Sequence, residues 1–294
     1  MNTLQSKNKD KDSFFSVNTT LNCNGRLIDL SAPVAMGIVN ITPDSFYKSS
    51  RYVQKDEILQ VANQMITEGA AIIDLGACST RPGANEISIV EEKKRLFPAL
   101  EIIREKFPDI IISVDTFRSS IAYDVVKKYE VAIINDISAG QMDPEMFDAV
   151  AELHVPYVLM HMKGTPRTMQ KLNKYENLLL EITMYFAERV TELKEKGVSD
   201  IILDPGFGFA KSPDQNLTLL KQMDKLRIFE LPVLAGLSRK STIWKTLDIT
   251  ADEALNGTTV LNTIALLKGA KILRVHDIKP ALEAIKLMNR YNDA

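Results

Sequence analysis

Two cysteines, Cys23 and Cys78, are all that 294 residues contain, and they stand far apart with no CxxC spacing. This excludes a disulfide framework and a thiolate metal cage, and it fits a reducing, cytoplasmic compartment. With three histidines in the whole chain there is no His/Cys metal cage either. Charge of one sign is also lacking: 36 basic and 38 acidic residues leave a formal net charge of −2. Neither a nucleic-acid footprint nor an anionic-membrane patch is indicated, so any anion site must be local. No apolar run approaches the ~20 residues needed to span a bilayer. The polar opening MNTLQSKNKDKDS lacks the apolar core of a signal peptide.

What is present is the composition of an ordinary globular protein, 45% hydrophobic and 25% charged. Residues 1–13 are expected to be a disordered polar leader. Residues 14–33 mix β-formers around Asn24-Gly25, a strong hairpin signal. From Val34 onward a short apolar strand, a polar or glycine-containing turn and an amphipathic helix recur. Strands are expected at 35–40, 72–75, 110–115, 132–136, 157–161, 201–204, 233–236 and 272–275. Helices are expected near 56–68, 90–106, 118–129, 144–153, 175–196, 213–229, 252–268 and 278–291. Apolar runs without alternation are strands buried on both faces, as in parallel sheets. Eight such units predict a closed (β/α)8 TIM barrel over residues 34–294, with a doubly wound open sheet as the alternative. The dinucleotide fingerprint GxGxxG that would favour the open sheet is missing after the first strand, where MGIVNITPDSF stands.

In such barrels the strand carboxyl ends converge on one mouth. Here those ends carry Asn40, Asp74, Asp115 with Thr116, Asn135 with Asp136, and His161. Asp204, Ser238-Arg239-Lys240, and Arg274 with His276 and Asp277 follow. The stretch 201–211, IILDPGFGFAK, is the most telling: a strand delivers a carboxylate into a glycine turn, and Phe207 and Phe209 offer flat apolar surface beside it. That combination suits a flat ring with polar edges.

Eight ordered motifs then carry a family resemblance: GIVNITPDSF (37–46), STRPGA (79–84), SVDT (113–116), IINDI (133–137), MHMKGTP (160–166), LDPGFGFAK (203–211), GLSRKS (236–241) and RVHD (274–277). The chain resembles the dihydropteroate synthases, pterin-binding enzymes of folate biosynthesis that join a dihydropterin diphosphate to p-aminobenzoate. The resemblance implies a pterin pocket of Asp115, Asn135, Asp204 and Lys240, with Met160 packing against the ring. The chemistry is consistent: one carboxylate accepts a pterin's amino group and ring N–H together, while Asn135 can donate and accept, and Lys240 donates.

By the same resemblance, Arg274 and His276, two apart on one strand and expected to point the same way, meet the diphosphate together with Asn40. Asp277 is expected to cap the last helix. Thr80, Arg81 and Pro82 belong to a substrate-binding loop, and Phe209, Lys240 and Ser241 form the p-aminobenzoate subsite. Magnesium is the implied metal, held chiefly by diphosphate and water with Asn40 as the one named protein ligand. Lys240, Arg274 and His276 are the expected catalytic groups. They serve a dissociative substitution in which diphosphate leaves the exocyclic methylene and the aromatic amine attacks. The family also implies a homodimer and sulfonamide binding at the p-aminobenzoate subsite.

Two departures stand out. Cys78 occupies the position before Ser79 where the family usually carries Glu, and Tyr47-Lys48-Ser49-Ser50 replaces the usual Ser-Asp-Gly-Gly. Cys78 is expected to be a packed thiol rather than a nucleophile. The rival readings are a pterin-dependent methyltransferase of the same superfamily and a non-catalytic pterin-binding barrel. The methyltransferase is not expected to carry Ser238-Arg239-Lys240-Ser241 or the STRPG loop.

Overall fold

The computed structural model describes residues 18–41, 51–78 and 87–294. The leader expected over residues 1–13 lies outside them, as do Tyr47, Lys48, Ser49 and Ser50 and the loop residues Thr80, Arg81 and Pro82. Strands β1 (Thr20–Cys23) and β2 (Arg26–Asp29) pair as the antiparallel hairpin. Asn24 and Gly25 supply its turn with φ of 55° and 84°, the left-handed pair that a two-residue hairpin loop needs.

Eight strands then close a parallel barrel: β3 (Val34–Asn40), β4 (Ile72–Gly76), β5 (Ile111–Asp115), β6 (Ile133–Asp136), β7 (Tyr157–Met160), β8 (Ile201–Asp204), β9 (Val233–Ala235) and β10 (Ala270–Val275). The closing pairs are β10 with β3 and β10 with β9, which rules out the open-sheet alternative. The helices are α1 (Arg51–Glu68), α2 (Ile89–Lys106), α3 (Ser119–Tyr129), α4 (Met146–Leu153), α5 (Leu178–Glu195), α6 (Pro213–Gln222), α7 (Ser241–Leu247), α8 (Leu255–Leu267) and α9 (Ile278–Asn292). The helix expected over 213–229 divides into α6 and a 3-10 segment, Met223–Phe229. The short α7 was not anticipated from periodicity. Among the described residues no helix is long and apolar enough to cross a membrane.

Strand alternation sorts the barrel into two faces. Ile73, Leu75, Ile112, Val114, Ile134, Leu159, Leu203 and Leu273 pack outward in the large core beneath the helices. Their neighbours of opposite parity, Met36, Ile72, Ile133, Val158, Ile202, Leu234 and Ile272, form a separate apolar cluster at the amino-terminal end of the strands. The hairpin contributes Leu21, Cys23, Ile28 and Leu30 to that cluster. It therefore plugs one end of the barrel. Two residues further along the same inward rows stand Asp74, Asn135, Met160, Asp204 and Arg274. The interior turns from apolar to polar within one pleat repeat, at the end where a mouth is expected.

Candidate active site

Asp74 is the hub of the mouth. Its carboxylate is fully buried. Oδ1 accepts from Ser113 Oγ at 2.6 Å, and Oδ2 accepts from Asn135 Nδ2 at 3.1 Å and from Arg274 Nε at 2.6 Å. Arg274 Nη2 reaches Asp115 Oδ2 at 3.2 Å, so one guanidinium ties the ends of β4 and β5 to β10. Burial pushes the Asp115 carboxyl up to about 7, against the pull of Arg274, with Asp74 adding to the rise. Asp115, Asn135 and Arg274, all anticipated, are thus brought together. Asp74, which joins them, was noted only as a strand end.

Across the mouth, Asp204 ends β8 and accepts the Gly206 N–H at 2.8 Å. Burial pushes its carboxyl up, while Lys240, the Gly206 N–H and then Arg274 hold it down. Lys240 is the N-cap residue of α7, and its Nζ donates to the Phe207 carbonyl. The same nitrogen stands 5.0 Å from the centroid of the Phe209 ring. Burial pulls Lys240 down to about 8, although Asp204 resists. Ser241 opens α7 beside it. Met160 pairs in register with Asp204 and packs with Ile137, Met162, Met169 and Ala210 into an apolar wall that Phe209 joins. Phe207 corrects the expectation of two aromatic surfaces: its ring is fully buried in the helix-covered core, leaving only Phe209 at the mouth.

His276 also departs from expectation. β10 ends at Val275, so His276 stands one residue past the strand that carries Arg274. Ser238 Oγ accepts the His276 backbone N–H at 3.2 Å and lies 3.0 Å from its Nδ1. That contact can run either way, since a hydroxyl that accepts one bond can still donate or accept another. His276 is an exposed residue, yet desolvation by its surroundings, then the charge of Arg274, pulls the imidazole down to about 4. These surroundings favour the neutral ring over a second cation.

Asp277 stands at the N-cap of α9, but its carboxylate caps nothing there. It is gripped by Arg239, whose Nε and Nη2 lie 2.9 and 3.0 Å from its two oxygens. Asn40 ends β3 half-buried on the inward row. Among the described residues no three His, Cys, Asp or Glu side chains gather as a metal cage.

Beside Asp115, Arg118 is paired with the buried Glu92 and donates to the Ile87 carbonyl at 2.6 Å, and Thr116 Oγ1 donates to Glu92 at 2.8 Å. Cys78 Sγ lies 3.9 Å from Arg118 Nη1. Burial and then the Glu92 charge push the Cys78 thiol far up, as suits a packed thiol.

Comparison with known proteins agrees with this geometry. Residues 36–276 match the family described as pterin binding enzyme. The chain is 41% identical over 266 residues to the dihydropteroate synthase of Escherichia coli K12, covering 90% of this chain and 93% of that protein. A Yersinia pestis dihydropteroate synthase solved with a sulfonamide drug superposes with a TM-score of 0.88 at 37% identity, covering 94% of this chain and all of that one. The Xanthomonas albilineans enzyme solved with 4-aminobenzoic acid gives 0.88 at 33% identity, covering 95% of this chain and all of that one. The chain belongs to the pterin-binding enzyme family, among the dihydropteroate synthases.

Proposed function

We infer that this chain is a transferase of folate synthesis, condensing 7,8-dihydropterin-6-ylmethyl diphosphate with p-aminobenzoate to 7,8-dihydropteroate and diphosphate. The observation that carries the reading is the inward polar row of Asp74, Asp115, Asn135, Asp204 and Arg274 at the barrel's carboxyl end. Asp204 accepts the paired donors of the pterin edge, Asn135 and Asp115 take the remaining edges, and Lys240 donates to the ring carbonyl. Met160 and Phe209 supply apolar contact, and Lys240 with Ser241 flanks the p-aminobenzoate subsite.

The diphosphate meets Arg274, whose Nη1 stands outside its pairs with Asp74 and Asp115. His276 meets it as a neutral ring, and an arriving anion raises the imidazole's affinity for a proton. Holding the departing charge and excluding water are the work these groups do, and no side-chain nucleophile is needed. Thr80, Arg81 and Pro82 are assigned to the substrates by their motif alone.

A magnesium ion fits the donor set: an amide oxygen at Asn40 is the single protein ligand expected of an ion that keeps its waters and binds diphosphate oxygens. When bound it neutralises diphosphate charge. Sulfonamides compete for the p-aminobenzoate subsite in this reading. A homodimer is supported by exposed Leu247, Leu255, Val260, Leu267 and Leu287 on α7, α8 and α9. A cytoplasmic setting accords with two free cysteines, one of them buried.

The test is diphosphate release measured with and without p-aminobenzoate and magnesium. Release that requires both is the expected result. Tight pterin binding with no turnover would favour the non-catalytic barrel.

A further inference from the structure

Lys211 is buried, 7% exposed, and none of the reaction's groups requires it. Its side chain folds back under the turn that follows β8. Nζ donates to the carbonyls of Gly206 at 2.9 Å and Phe209 at 3.0 Å, and it stands 3.0 Å from His161 Nδ1 just past β7. Three acceptors match the three N–H bonds of the ammonium form, although burial pulls Lys211 down to about 7 while Asp204 resists. His161 is then an acceptor at Nδ1 and a neutral ring, and burial, then the charge of Lys211, keeps its pKa well below the ordinary value.

From the opposite side Lys240 holds the Phe207 carbonyl, so two lysines grip one short turn. The turn has no slack: Gly206 has φ +69°, and a Cβ there would sit 2.0 Å from the His161 carbonyl oxygen and 3.3 Å from Lys211 Nζ. Asp115, Asn135 and Asp204, by contrast, end strands that the barrel ladder already fixes. Phe209 lies beyond β8, and the ties described for its backbone are the Lys211 bond to its carbonyl and its own N–H to the Gly206 carbonyl at 3.1 Å.

We propose that Lys211 is a positioning residue for the second substrate: by tying Gly206 and Phe209 to His161 it sets the height of the Phe209 ring against which p-aminobenzoate packs. This rests on the functional reading above. Replacing Lys211 with Met removes all three bonds and lets the ring drift, while the pterin groups stay on ladder-fixed strands and Asp204 keeps the stronger hold of Lys240, the Gly206 N–H and Arg274. The expected result is a KM for p-aminobenzoate raised roughly tenfold or more, the scale set by losing one or two charge-assisted hydrogen bonds. Pterin diphosphate affinity, measured by calorimetry without p-aminobenzoate, should stay within about threefold, a change worth less than one such bond.

His161→Ala removes one of the three acceptors and is expected to shift the same KM in the same direction by less. It carries the test alone if Lys211→Met does not fold. In the double variant the two effects should fail to add, because they act through one nitrogen. An equal rise in both substrates' constants, or no rise in either, overturns the proposal. A wild-type chain that does not turn over the substrate pair overturns the functional reading instead.

Discussion

Asp74→Ala is the sharpest perturbation the mouth allows. The carboxylate is fully buried and accepts three hydrogen bonds, so its loss orphans Ser113 Oγ, Asn135 Nδ2 and Arg274 Nε at once. Removing one partner of a buried ion pair costs about 3–5 kcal/mol. Arg274 keeps Asp115, and Asp115 loses a like charge that pushes it up, so the lower part of that range is expected. At about 2–4 °C per kcal/mol for a protein near this size, a loss of ~3 kcal/mol lowers Tm by roughly 6–12 °C.

Turnover should fall further than stability alone explains. Misplacing Arg274 and Asn135 by ~1 Å is enough for about a hundredfold loss in kcat/KM. Thermal unfolding and steady-state kinetics on the same preparation read both effects. Adding Arg274→Met takes the remaining partner from the buried Asp115 and should lower Tm further while abolishing activity. An Asp74→Ala protein melting within ~2 °C of wild type, with kcat/KM within about threefold, would refute the hub, since those changes fall below one buried hydrogen bond.

Lys240 makes activity and stability diverge with pH. Burial pulls it from an ordinary 10.5 to about 8, so the donor is lost and kcat/KM of the free enzyme should fall as pH rises through about 8. Between those values the unfolded chain binds more protons, so the cost of burying Lys240 shrinks and its share of stability rises with pH. Lys240→Arg should flatten the alkaline limb of the pH–rate profile. Gly206→Ala drives a Cβ to 2.0 Å from a backbone oxygen at a left-handed φ, and unfolding should register a loss of about 3 kcal/mol or more. Val260→Glu, placing charge on an exposed apolar helix face, should shift sedimentation toward the monomer while turnover per folded chain survives in part.

Much of this architecture was legible because two periodicities do most of the sorting. Unalternating apolar runs marked all eight barrel strands, and Asn24-Gly25 marked the hairpin. Inward parity then puts Asp115, Asn135, Asp204 and Arg274 on one mouth. What escaped notice depends on contacts between distant parts of the chain. Asp74 meets partners 39, 61 and 200 residues away, and only its parity with Ile72 and Gly76 could have singled it out. Asp277 reads as a helix cap until Arg239, 38 residues earlier, folds onto it. Phe207 and Phe209 look equivalent in a glycine turn, yet only one faces the mouth. The seven-residue α7 is too short for a periodic signal. Nothing in the local sequence marks Lys211 as buried, and its burial is visible only when His161 is brought within 3.0 Å of it.

The central claim is that residues spread from Asn40 to Arg274 serve one ligand. A crystal structure of the chain with a pterin and diphosphate measures it most directly. The account predicts the ring between Asp115, Asn135, Asp204 and Lys240, with the diphosphate on Arg274. A pterin seated elsewhere, or a diphosphate bound away from Arg274, would contradict it.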